Sequence, residues 1–213
     1  MALNIPGGEF LTGSLDVISQ SLTIPVLVVL LIIVIISIIT LGGAIAEYTS
    51  RRKVPVGVIR DLIYEINGVA SVDDLKDVIS NAKIPKSQRK VLLEIASSSI
   101  LGDASREALA RKLFEFEEEK TVSALQKTDI ITRIGPTLGL MGTLIPMGPG
   151  LAALGAGDIN TLASSLTVAF NTTIVGIGSG ALCYVIGKIR SGWYDRYLSD
   201  LDALIDAVLD YMK

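Results

Sequence analysis

Three long stretches of this chain contain no Asp, Glu, Lys, Arg or His. They lie between Asp16 and Glu47, between Arg133 and Asp158, and between Asp158 and Lys188, and they hold 30, 24 and 29 residues. A helix needs ~20 predominantly apolar residues to cross the hydrocarbon core of a bilayer. With no water there to bond the backbone, a helix is the natural form for such a stretch. Three spans are therefore predicted, at 22–46, 134–154 and 159–187. Half of the sequence is hydrophobic and the mean hydropathy is +0.55, above a usual soluble domain. The expected class is an all-α integral membrane protein with the lipid bilayer as its surroundings.

The remaining charge sets an orientation. Residues 1–21 form a short segment with Glu9 and Asp16 and no basic residue. Arg51, Arg52 and Lys53 follow the first span, Lys188 and Arg190 follow the third, and the turn at 155–158 holds only Asp158. The positive-inside rule then predicts an extracytoplasmic N-terminus and a cytoplasmic C-terminus (N-out, C-in). The start has no basic n-region, and no small-residue cleavage site follows the apolar run, so the first span is expected to be retained.

Residues 47–133 are predicted to form a cytoplasmic helical region. It holds 15 basic and 14 acidic residues, a balance unlike a nucleic-acid footprint. Val58, Ile59, Leu62, Ile63 and Ile66 make a helical stripe that stops at Asn67-Gly68. Ser71 with Asp74 three residues on reads as an N-cap, and Pro85 marks another start. Val91, Leu92, Ile95 and Ile100 continue the stripe to Gly102. From Ala104 no Gly or Pro interrupts the chain until Gly135, which predicts one helix continuous with span two. Glu115–Glu119 reads as a solvated acidic face. In the 188–213 tail, Leu198, Leu201, Leu204, Ile205, Val208, Leu209 and Met212 repeat at helical spacing, so span three and the tail are expected to form one long helix.

The spans themselves are informative. Span one is dense in Ile, Val and Leu and suits contact with lipid. Span two opens Gly135-Pro136-Thr137-Leu138-Gly139-Leu140-Met141-Gly142-Thr143, with small residues at the spacing that lets helices approach closely. At 100° per residue, Ser165, Ala169, Thr172, Gly176, Ser179, Gly180, Cys183 and Gly187 share one small, partly polar arc of span three, with Thr173 at its border. Thr167, Asn171 and Gly178 form a second strip. Helix contact, with hydroxyls bonding back to the preceding turn, accounts for most Ser and Thr here. The Asn171 amide requires a polar contact or a wet cavity. Lone Cys183 reads as a small buried apolar residue. There is no histidine, no metal-ligand set and no catalytic constellation, so neither an enzyme nor a cofactor is expected. A proton relay normally needs a titratable group at depth, so any such acid must come from a partner helix.

Pro136, Gly139-Leu140 and Gly142-Thr143 resemble the P-x-x-G-L-x-G-T of the MotA/TolQ/ExbB proton channel family. Ala169-Phe170-Asn171-Thr172-Thr173-Ile174-Val175-Gly176 resembles its A-L-x-x-T-x-x-G. Together with the three-span topology the resemblance covers about 80 residues and points to the ExbB/TolQ-like branch. In that branch a Glu often stands five residues before the span-three threonine; here the residue is Val168, and Pro146-Met147-Gly148-Pro149-Gly150 is a second departure. The resemblance implies a ring of five subunits around two single-span ExbD/TolR/MotB-like helices that carry an Asp. It implies that Thr143 and Thr173 line the ion pathway, that Pro136 shapes its cytoplasmic mouth, and that Gly139, Gly142 and Gly176 permit close packing; the faces of span three add Gly180 as a packing residue and Asn171 and Thr172 as polar contacts. A non-conducting scaffold is the competing expectation. A solute-transporter component would call for repeated halves around a midplane site, and no internal repeat is present.

Overall fold

The computed structural model describes residues 8–50 and 54–213, all of whose regular structure is helical. The basic cluster Arg51-Arg52-Lys53 and residues 1–7 lie outside the described residues. Seven helices follow in order: α1 Gly8–Ser21, α2 Thr23–Ser50, α3 Val56–Gly68, α4 Val72–Asn81, α5 Lys86–Ala96, α6 Asp103–Gly155 and α7 Ile159–Tyr211. The stretch Phe10–Thr49 and helices α6 and α7 are each long and apolar enough to cross a membrane. The chain divides into two compact units, one of residues 1–47 and 126–188, the other of residues 48–125 and 189–213.

In the first unit the three apolar segments pack together. Val26, Leu30, Ile33 and Ser37 of α2 recur every three or four residues and are buried, while Leu31, Ile35 and Ile39 stay exposed. Half of that helix therefore has the lipid-facing character expected of it, and half is a packing face. Val26 and Leu30 meet Ile145 and Leu138 of α6. Ile33 meets Ile131 and Leu138 of α6 and Cys183 of α7. Pro136, Pro146 and Pro149 all lie inside α6, which continues through the breaker-rich segment to Gly155. Gly157, at φ 83°, takes the left-handed conformation that the tight turn to α7 requires. Asp158 then caps α7, accepting from the Thr161 amide at 3.1 Å and from its hydroxyl. Those bonds hold the Asp158 carboxyl below its ordinary pKa. Their contribution is present above the usual carboxylate range and is lost as pH falls through the depressed value.

The second unit is a helical domain with a soluble-type core. Ile66 of α3, Leu75 and Ile79 of α4, Leu92 and Ile95 of α5, and Leu201, Leu204 and Val208 of α7 are fully buried in one cluster. The Ser71 cap forms as its spacing predicts: the hydroxyl accepts from the Asp74 amide at 3.2 Å and donates to the Asp74 carboxylate at 2.7 Å. Two sequence expectations need correction. Ile100 is 98% exposed, because α5 ends at Ala96 and the chain turns before α6. Glu117 is buried, unlike the exposed Glu115, Glu118 and Glu119. It faces α7, where the Tyr197 hydroxyl donates to it at 2.8 Å, and it pairs with Lys120. Tyr48 and Trp193 stack with centroids 6.0 Å apart, an aromatic pairing typical of the membrane–water boundary.

Two substitutions rank these contributions. Leu204→Ala should destabilise the second unit by about 2–5 kcal/mol, and Ser71→Ala by only about 1 kcal/mol. Thermal unfolding followed by circular dichroism in mild detergent checks the order; equal shifts would show that Leu204 is not a core residue.

Candidate functional site

Helices α6 and α7 meet along a seam of glycines. A β-carbon on Gly176 would stand 2.5 Å from the Gly135 carbonyl oxygen and 2.7 Å from the Gly139 Cα. One on Gly139 would lie 3.2 Å from the Thr172 carbonyl oxygen and 3.4 Å from the Thr173 Cα. The seam runs on in both directions. Gly180 faces the Pro136 ring at 2.8 Å, Gly142 faces the Thr172 side chain at 2.6 Å, and Gly150 faces Ser165 at 2.9 Å, each measured from a β-carbon the glycine lacks. Backbone thus packs on backbone, the arrangement that small residues spaced by four make possible in a membrane.

The two candidate pathway threonines flank this seam. Thr143 is half-buried and donates to the Leu140 carbonyl at 2.6 Å. Thr173 is half-buried and donates to the Ala169 carbonyl at 3.1 Å. At 100° per residue Thr143 stands about 140° round α6 from Leu138, which touches α2, and Thr173 about 80° round α7 from Cys183. Thr143 therefore lies towards the flank of α6 that α2 does not cover, and Thr173 lies to one side of the Cys183 contact. Each hydroxyl donates its proton to its own helix and keeps its capacity to accept. Proline adds acceptors along the same helix. Pro136, Pro146 and Pro149 have no N–H, so the carbonyls of Thr132, Gly142 and Ile145 lose their usual donors four residues on.

The remaining site residues fall on the two strips that their spacing separates. Thr172 is buried at the seam, against Gly142, and donates to the Ala169 carbonyl at 2.9 Å. Asn171 is exposed, about 100° round α7 from Thr172. Ser37 is the contact that sequence reasoning missed. It is 2% exposed, donates to the Ile33 carbonyl at 2.7 Å and receives the Cys183 thiol at 3.4 Å. Its place on the Val26-Leu30-Ile33 stripe, in a span whose other hydroxyls are Thr23 and Thr40, was the available signal. Gly135 and Gly150 were likewise legible from their spacing to Gly139 and Gly142.

A family model described as the MotA/TolQ/ExbB proton channel family matches residues 83–203, more than half of the chain. The chain belongs to the MotA/TolQ/ExbB proton channel family. The matched region runs from just before α5 to near the end of α7 and contains the whole glycine seam with both threonines, whereas α2 lies outside it. No curated protein matches the chain. Membership makes the protein a subunit type of membrane proton-channel, energy-transducing complexes, a family of channels rather than enzymes. The match does not separate the branches.

The seam makes a sharp contrast between neighbouring glycines. Gly178 has nothing within 4 Å of a built β-carbon. Gly176→Ala should therefore lower stability by about 1–3 kcal/mol through forced separation of the helices, while Gly178→Ala should leave the melting temperature unchanged or slightly raised, alanine being the better helix former. Indistinguishable melting of the two variants would refute close packing at Gly176.

Proposed function

We propose that this chain is a channel-forming subunit of an ion-driven, most simply proton-driven, membrane motor or energy-transducing complex in the cytoplasmic (inner) membrane. It assembles as a homo-oligomer, in the reading a pentamer, around two single-span ExbD/TolR/MotB-like helices that supply the titratable Asp. The N-out, C-in orientation and the ExbB/TolQ-like branch belong to the same proposal; the charge distribution of the loops and the number of spans support them. The observation that carries it is the family match over the α6–α7 seam.

The chemistry of the spans supports a divided mechanism. No Asp, Glu, Lys, Arg or His lies in any of the three spans, so the chain can surround an ion path but cannot hold a transferable proton at depth. The accepting oxygens of Thr143 and Thr173 suit a water or coupling ion beside the partner's carboxylate. Protonation and release at that carboxylate would change its preference among equivalent faces of the ring, turning ion flow into stepwise motion. Asn171, exposed on α7, is proposed as a polar contact within the assembly, and Pro136 as the residue that shapes the cytoplasmic mouth.

Thr173→Val keeps the shape and removes the hydroxyl. Coupled proton flux, read with a pH-sensitive dye in proteoliposomes of the co-purified complex, should fall about tenfold or more, the cost of one hydrogen bond to a charged group. Native mass should still report five of these chains with two single-span proteins. Full flux in the variant would remove Thr173 from the pathway, and a monomeric chain in mild detergent would remove the ring.

A further inference from the structure

We infer that one face of α7 lines a water-filled half-path, running from the α6–α7 turn to Asn171 near the middle of the membrane. The contact proposed above for Asn171 is then water. The orientation of the path and the titratable group it serves are those of the proposed function, on which this half-path rests.

The pattern is one-sided along the helix axis. At 100° per residue, Asn160, Ser164 and Thr167 lie within about 40° of the Asn171 direction, and all four are exposed. The same line carried past Asn171 meets Val175, Gly178, Leu182 and Val185, none of them with a polar side chain. The face is thus polar over one half of the span and apolar over the other. Asn171 is eleven residues beyond Asn160, about 16 Å along the axis and so about half of a ~30 Å core.

The four side chains differ in what they have already satisfied. Ser164 donates to the Thr161 carbonyl at 3.2 Å and Thr167 to the Ala163 carbonyl at 2.9 Å. Asn67 and Asn81, exposed in the second unit, likewise bond back one turn, to the Ile63 and Asp77 carbonyls. Asn171 makes no such bond, and its amide has no partner among the described residues. An amide left unbonded in hydrocarbon is costly, so its donors and acceptor call for a partner from outside the chain.

Water is the partner that this pattern selects. Helices approach through small residues and gain nothing from polarity confined to one half of a face. A path open at one end does need it there: the strip starts beside the exposed Asp158 of the turn, and its polarity stops where the path stops. Hydroxyls that donate to their own helix still accept from water. None of the four residues occupies a fixed position of either family motif. Asn171 stands about 160° round α7 from Thr173 but only about 3 Å from it along the axis. The path therefore brings water to the depth of the proposed carboxylate on a face of its own.

The test uses the co-purified complex in right-side-out and inverted membrane vesicles, with the buried Cys183 replaced by alanine. Single cysteines are placed at Ser164, Thr167, Asn171, Gly178 and Val185, and at Phe170 beside the strip. A charged, membrane-impermeant methanethiosulfonate should label the first three from the turn side about tenfold faster than the others, because the reaction needs a hydrated thiolate. Equal rates in both halves, or protection of the first three from either side, would overturn the path. Labelling of those three only in inverted vesicles would uphold the path and overturn the proposed orientation. In proteoliposomes, Asn171→Leu should cut proton flux about tenfold or more, with Asn171→Ser losing far less and the native mass unchanged in both. Full flux in Asn171→Leu would deny the path its role, and a smaller native mass would make Asn171 a contact between subunits instead. A parent complex that carries no proton flux would refute the proposed function, while the labelling pattern would still decide the path.

Discussion

The contact between Gly135, Gly139 and Gly142 of α6 and Thr172, Gly176 and Gly180 of α7 organises the membrane unit. Lipid tails are as apolar as leucine, so burying apolar surface gives little reason for two helices to associate inside a bilayer. Contact area and short-range dispersion must do it, and both fall off within an ångström of separation. With β-carbons missing at these positions, the backbones approach until carbonyl oxygens meet Cα atoms. That approach sets the surroundings of the site's threonines: Thr172 is trapped inside it, while Thr143 and Thr173 are left at its edge.

The second unit is held by a different force. Its core of Ile66, Leu75, Leu92, Leu201 and Leu204 is fully buried, as in a water-soluble protein, where transfer of apolar surface from water is the main driving term. Helices α6 and α7 each contribute to both units, so one continuous helix is stabilised by packing alone along part of its length and by the hydrophobic effect along the rest. Arg106 and Tyr197 add directional bonds to the second part, fastening α7 to the α5–α6 turn and to Glu117.

Much of this was legible in the residues because each signal has a local cause. Charge-free length marks the spans, Ser71 with Asp74 marks a helix start, and small residues four apart mark the seam. What escaped depends on the third dimension. The burial of Glu117 requires knowing that Tyr197, 80 residues away, supplies a donor. Ser37 looked like one hydroxyl in a lipid-facing helix until the Cys183 thiol met it across 146 positions of sequence. Ile100 fitted a periodic stripe that the chain had already left.

Three threonines of span three bond to their own backbone: Thr167 to Ala163, and Thr172 and Thr173 to Ala169. Thr143 does the same with Leu140. These hydroxyls are satisfied before any other molecule arrives, and the spans carry no formal charge. Biogenesis is affected as much as conduction. A newly made chain can enter the bilayer with these groups already at ease, whereas a helix bearing a buried acid cannot. Membrane insertion of this subunit therefore needs no other chain to cover a charge within its spans.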